Sequence, residues 1–469
     1  MISEDTKRIE RNITESKDKT TDSPLKTSIK FGIFDWIDRN QLALPELYEQ
    51  RLKLIECAEE KGFYCYHIAE HHGSPLNMTP SPSLFLAAAA QSTERIRLGT
   101  LVYVLPAYNP LRLIEEICML DNLSRGRLDV GVGRGISPIE MSFFNIDVQQ
   151  SRDIFREALD AMTSALATGK LSYQGRCFSF KNVELQIEPF QRPYPPLWYP
   201  TNSSESMQWL AQEGFNTVVH YQSMPAIREL FELYRRVWKE HADDRNRLNA
   251  HVTEPLYGIS RHVYIGKTDA QAWEEAKTAL AQFNQNTGYL QSKIGDNRRK
   301  EYLDDFEARR AEGLYIAGAP DKVREEVKKH LEITGSNYFV GSFCFGNLTT
   351  EQAMNSLRLF ADEVIPNLPL PKGGMLDYTC CEIVSEPQTP SSVTSPWDSH
   401  PSLEKRGRGD FSSKLRKART SSLVTLRYPA VCRRDRRKHV DRWDKRPCLS
   451  PARRSAVRRR FFSVRTGDD

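Results

Sequence analysis

The chain has 469 residues, 27% of them charged, with 66 Lys and Arg against 61 Asp and Glu and a formal net charge of +5. The surplus is local: residues 373–469 hold 22 basic and 11 acidic side chains, which leaves 44 basic and 50 acidic residues before Gly373. A chain of this length can bury a large core, in one large barrel or several domains. No apolar run is long enough to span a bilayer, and the polar first 28 residues do not form a secretory signal.

Nine cysteines include no Cys-x-x-Cys pair, and Cys57, Cys65, Cys118 and Cys344 fall in apolar or helical patterns that suit buried, reduced thiols. The expected location is a reducing, cytoplasmic compartment.

Residues 1–28, rich in Lys, Glu, Asp, Ser and Thr, are expected to be a disordered extension. The folded domain is expected over 29–372. Ile29–Trp36 (IKFGIFDW) reads as a buried strand. Pro45 then opens a helix with Leu47, Leu54, Ile55 and Ala58 at helical spacing, stopped by Gly62. Phe63–Ala69 is a second strand, Ser81–Ser92 a helix, Ile96–Leu105 a third strand, Pro110–Leu123 a helix and Arg127–Gly133 a fourth strand. A helix over Arg152–Thr168, a hairpin over Leu171–Ile187, strand Leu197–Pro200 and a helix over Ser206–Glu213 follow. Thr217–Tyr221, Arg261–Ile265 and Asn337–Phe345 complete eight strands, and Thr350–Ile365 is the last helix. Strands alternating with helices predict parallel, right-handed strand-helix-strand units, and eight of them predict an α/β fold of the (β/α)8 TIM-barrel type. Residues 284–312, polar and poorly periodic in their first half, read as an insertion before the last strand and a candidate lid.

Four loci fall at the C-terminal ends of predicted strands, where barrel enzymes place their active sites. They are Glu70-His71-His72, Leu101-Val102-Tyr103, Arg134-Gly135 and Asn202-Ser203-Ser204. Two imidazoles beside a carboxylate suit general acid/base chemistry, although neighbouring residues of a regular strand face opposite ways. Gly131-Val132-Gly133-Arg134-Gly135 is spaced G-x-G-x-G and lacks the dinucleotide fingerprint; its glycines would let a flat ligand approach the backbone, with Arg134 as a cationic fork. Ser203 and Ser206 stand at a helix start that could cradle a phosphate beside Arg134 and Arg152, or be plain caps. Phe34, Trp36, Tyr103 and Trp198 are candidates for the cavity wall or for the core.

The stretch Arg95–Gly135 (RIRLGTLVYVLPAYNPLRLIEEICMLDNLSRGRLDVGVGRG), preceded by Ala69-Glu70-His71-His72, resembles the bacterial luciferase-like flavin monooxygenases. The match runs through PYPPLWYPTNSSES (193–206) to FADEVIPNL (360–368), so it covers roughly residues 29–370. The resemblance implies a barrel that binds reduced FMN from a separate flavin reductase, a two-component system. The flavin would react with O2 to give a C4a-peroxide that oxygenates a small organic substrate such as an aldehyde, ketone or terpene. His71 inherits the catalytic role, with Glu70 and His72 in support. Leu101 and Val102 inherit the flavin platform, a non-prolyl cis peptide. Arg134, Arg152, Ser203 and Ser206 inherit the phosphate contacts. Asn202 replaces an acid found in luciferase, and Gly133 replaces a cysteine, which argues against assuming light emission. No metal is implied, and a homodimer is. A deazaflavin-dependent oxidoreductase on the same barrel and a catalytically silent flavin-binding protein are the alternative readings.

The Ser/Pro/Thr-rich and then Arg-rich sequence 373–469, with Arg433–Lys438 (RRDRRK) and Arg453–Arg460, is expected to be a disordered basic tail. Nucleic-acid binding by it is disfavoured, because interleaved stacking aromatics are missing.

Overall fold

A computed structural model of the chain describes residues 29–368. The expected extensions 1–28 and 373–469 lie outside them. The first half of the fold comprises β1 (Lys30–Asp35), α1 (Leu44–Glu60), β2 (Cys65–Ile68), α2 (Pro82–Ser92), β3 (Arg97–Thr100), β4 (Tyr103–Val104), α3 (Pro110–Leu123), β5 (Leu128–Gly133), α4 (Pro138–Phe143) and α5 (Ser151–Thr168). An antiparallel hairpin, β6 (Lys170–Gln174) and β7 (Ser179–Glu184), follows. The second half comprises β8 (Leu197–Trp198), α6 (Ser204–Gln212), β9 (Thr217–Val219), α7 (Met224–Glu240), β10 (Tyr257–Ile265), α8 (Asp269–Ser292), α9 (Arg298–Asp304), α10 (Phe306–Ala311), β11 (Tyr315–Gly318), α11 (Pro320–Thr334), β12 (Tyr338–Ser342) and α12 (Thr350–Leu359).

The main sheet is parallel and closes on itself. β1 pairs with β2, β2 with β3, β3 with β5 and β5 with β8. A bridge from Trp198 to Asn216 leads to β9, which pairs with β10, then β12, which returns to β1. The chain is therefore an eight-stranded parallel α/β barrel, with β4 continuing beside β5 and β11 beside the upper half of β10.

Strand alternation sorts the core into two layers. Phe31 and Ile33 of β1 pack with the outer helices, among them Leu47, Leu54 and Ile55 of α1, while Phe34 and Trp36 belong to a second cluster with Trp198, Tyr338 and Phe345. Gly32 makes room for one of the large residues: a Cβ there would lie 1.9 Å from the Tyr338 hydroxyl. That hydroxyl bonds His67 Nε2 at 2.9 Å, and burial, with some help from His220, pushes the His67 pKa down to about 3. His67 is thus a neutral core residue.

Several details differ from the sequence-based expectation, among them the helices Met224–Glu240 and Asp269–Ser292, which are not among the predicted elements. The seventh strand starts at Tyr257, four residues before the predicted Arg261. Residues 284–312 are not an irregular loop: 284–292 end α8, and α9 and α10 fill most of the rest. Between that segment and the last strand lie β11 and α11, which have no counterpart among the predicted elements. Tertiary bonds hold the segment's polar helices: Asn284 Nδ2 donates to Asp304 at 3.0 Å, and Trp273 Nε1 to Glu307 at 3.1 Å. Local periodicity cannot report such bonds.

The free cysteines Cys57, Cys65, Cys118 and Cys344 are buried. Among the described residues, no helix is long and apolar enough to cross a membrane.

Candidate functional site

A cavity of about 830 Å³ opens at the C-terminal ends of the barrel strands. Glu70, His71, His72, Leu101, Val102, Arg134, Arg152, Asn202, Ser203 and Ser206 all line it. The barrel brings these ten residues together from five separate stretches. Phe34 and Trp36 also reach it, whereas Tyr103 and Trp198 are core: Tyr103 is fully buried with its hydroxyl on Ser83 at 2.8 Å, and Trp198 sits inside the barrel.

β2 stops at Ile68, so Glu70-His71-His72 is a loop and the strand rule on alternating faces does not apply. Two carboxylates orient the imidazoles separately. Glu70, 4% exposed, accepts from His72 Nε2 at 2.9 Å, the Tyr108 hydroxyl at 2.9 Å and the Val104 amide at 3.1 Å. Glu140, on α4, meets His71 Nδ1 at 3.1 Å with one oxygen and accepts the His72 amide at 2.9 Å with the other. Burial pushes the Glu140 carboxyl up, but the hydrogen bond and charge of His71, with the His72 amide, outweigh it and hold the pKa below the ordinary value. An ionised Glu140 makes His71 Nδ1 the donor. His71 Nε2 then has no hydrogen-bond partner among the described residues.

The next wall is where strand three breaks. β3 ends at Thr100, the Leu101–Val102 peptide is cis as the resemblance implied, and β4 resumes at Tyr103. The neighbouring glycines make room for this break. A Cβ on Gly131 would lie 2.0 Å from Thr100 O, and one on Gly133 2.6 Å from Val102 Cγ2. The adjacent strand occupies the space that Gly131 leaves, while Gly133 and Gly135 also line the cavity.

At the third side of the cavity, Ser203 is the N-cap of α6, its Oγ accepting from the Ser206 amide at 3.1 Å. Arg152 has only a loose ion pair, Nη1 to Glu205 Oε1 at 3.7 Å between exposed side chains, and Arg134 has no ion pair among the described residues. Both guanidiniums act on the Tyr199 hydroxyl, opposing the upward pKa shift that burial imposes. Asn202 is exposed and its side chain makes no hydrogen bond among the described residues. An anion at this end would meet two cations and a helix start whose first amides lack helical partners.

Several lining residues had no place among the candidates: Glu140, His220, Tyr221, Thr287, Arg299 and Tyr302. His220-Tyr221 ends the predicted sixth strand, so the strand-end rule that selected the other loci would have found it. Glu140 lies 69 residues from His71, and no local signal joins them.

The luciferase-like monooxygenase family model matches residues 29–337. An uncharacterized protein of Sinorhizobium fredii is 34% identical over 73% of this chain and 98% of its own length. The oxygenase component of a flavin-dependent trigonelline monooxygenase of Acinetobacter baylyi is 26% identical over 55% of this chain and 69% of that protein. Among solved structures, monooxygenase RslO1 of Streptomyces bottropensis matches with a TM-score of 0.64 and 26% identity, over 72% of this chain and 99% of that one. The oxygenating constituent of 3,6-diketocamphane monooxygenase of Pseudomonas putida, in complex with FMN, shares the fold with a TM-score of 0.60 and 21% identity, over 73% and 100%. A closed α/β barrel with a cavity at its strand ends defines the class, an α/β-barrel protein. The chain belongs to the luciferase-like monooxygenase family.

Proposed function

We propose that the chain is the oxygenase component of a two-component, FMN-dependent monooxygenase that takes reduced FMN from a flavin reductase and oxygenates a small organic substrate. The observation that carries this reading is one cavity holding both an anion-binding end, Arg134 and Arg152, and an oriented imidazole, His71. Reduced flavin, when bound, supplies the two electrons that activate O2. Arg134, Arg152, Ser203, Ser206 and the neighbouring Asn202 would hold its phosphate, and Leu101-Val102 would support its ring system. The cationic end lacks strong carboxylate partners of its own, so the residues fit an anionic cofactor.

His71 is the catalytic residue in this reading: with Nδ1 held by Glu140, it holds or moves a proton at Nε2 toward the reacting atoms. Glu70 fixes His72 as a wall. α9, which carries Arg299 and Tyr302 into the cavity, is the lid that excludes water. The trigonelline relative, an oxygenase component by name, supports the two-component arrangement. A homodimer and a cytoplasmic location are part of the same reading.

The test is to mix the full chain with photoreduced FMN and O2 and follow hydrogen peroxide release. The reading predicts release that slows when an accepted substrate is added and quickens in His71→Ala. Identical release with and without the protein, at every substrate screened, would overturn it.

A further inference from the structure

The β9 end of the cavity is built differently from the cationic end. Trp36, 6% exposed, is fixed as a wall by a parallel stack on His262 at 5.3 Å and an edge contact with Phe34 at 4.2 Å. His220 packs on Phe34 at 5.0 Å, and burial, with the nearby Arg261 charge, pushes its pKa down to about 3, so it is a neutral imidazole. Tyr221 completes the aromatic wall. Thr287, 6% exposed, lines the same cavity with its hydroxyl lacking a hydrogen-bond partner.

Over this wall stands a guanidinium with no ion-pair partner among the described residues. Arg299 lines the cavity, half-buried, with no ion pair or hydrogen bond among the described residues, and its charge acts on the Tyr221 hydroxyl. The three acidic cavity residues are committed elsewhere: Glu70 to His72 and Tyr108, Glu140 to His71, and Glu205 to Arg152. Arg134 and Arg152 act instead on Tyr199, so the cavity has two cationic centres. One flavin phosphate accounts for one of them.

We infer that the β9 end is the organic-substrate subsite and that it takes a planar aromatic carboxylate, its ring against Trp36 and Tyr221 and its carboxylate on Arg299. This rests on the reading above in assigning the Arg134 end to the flavin phosphate. A guanidinium matches a carboxylate bidentately, and an aromatic wall favours a flat ring. Thr287 and the neutral His220 supply further hydrogen bonds without adding charge.

The experiment titrates the full chain anaerobically with benzoate and with its neutral isostere benzamide, with and without reduced FMN, by calorimetry. Benzoate is expected to bind at least about tenfold tighter than benzamide, as a charge-assisted pair in a partly desolvated site allows. Arg299→Gln is expected to abolish that preference and Arg299→Lys to keep part of it. Equal binding of the two probes, or a preference undiminished in Arg299→Gln, would overturn the inference. If Arg299→Gln fails to fold by circular dichroism, the wild-type comparison decides alone. Benzoate preference without any binding of reduced FMN would sustain the subsite and sink the flavin reading.

Discussion

His71 Nδ1 lies 3.1 Å from Glu140 Oε1, while the other oxygen of the same carboxylate accepts the His72 amide at 2.9 Å. One side chain from α4 thereby fixes both the ring and the backbone of the loop after β2. Glu140→Ala leaves these donors without their acceptor and is expected to cost about 1–3 kcal/mol, measured by denaturant unfolding. The pH dependence has a definite sign. The Glu140 pKa is held below its ordinary value, so its contribution is present above the unfolded pKa and lost as pH falls through the lower folded one. Glu140→Gln is expected to flatten that acid limb of the stability curve.

Asp38 behaves in the opposite way. Burial raises its pKa to about 7, against the pull of Arg51 and of the hydrogen bonds from Asn286 and Gly346. The folded state therefore binds the proton more tightly than the unfolded chain, and stability is expected to decline as pH rises from about 4 to about 7. Asp38→Asn removes this titration. Unfolding free energies at pH 5 and pH 8 should converge in the variant relative to wild type, and an unchanged difference would count against a buried, proton-binding Asp38.

Arg51 also forms a buried ion pair with the last residue of β1. Arg51 Nε meets Asp35 Oδ2 at 3.0 Å, both nearly inaccessible, and the Tyr66 hydroxyl donates to the same oxygen at 2.9 Å. Arg51→Met strands the Asp35 charge and is expected to destabilise by about 3–5 kcal/mol. Urea denaturation of single and double variants tests it: Arg51→Met with Asp35→Asn should recover part of the loss.

Gly131→Ala is expected to lower stability by at least about 1–3 kcal/mol, since its new methyl meets backbone oxygen rather than a movable side chain. The same substitution would displace Leu101-Val102, so reduced-FMN affinity should fall with it. A variant with wild-type melting and flavin affinity would contradict the role given to this glycine.

Much of the barrel was legible because its strands are buried on both faces and read as near-continuous apolar runs, as in Ile29–Trp36 and Asn337–Phe345. The strand-end rule then placed Glu70, Arg134 and Ser203 around one cavity. β11 was not legible, because Tyr315–Gly318 is four residues long and ends in small ones. α7 was legible in principle: Ile227, Leu230, Phe231 and Tyr234 recur at helical spacing and are buried. The glycines at 131 and 133 were visible as glycines, but what they approach, Thr100 and Val102, is a property of the strand break and not of the local sequence. Glu140 is the clearest limit, since its partners are joined to it only by tertiary structure.

The most direct test of the central claim is an anaerobic titration of the full chain with reduced FMN, oxidised FMN and a reduced deazaflavin, repeated on Arg134→Gln. Preferential binding of reduced FMN, weakened by at least about tenfold in the variant as loss of a charge-assisted contact requires, is the predicted result. Tight binding of the deazaflavin with none of reduced FMN would contradict it.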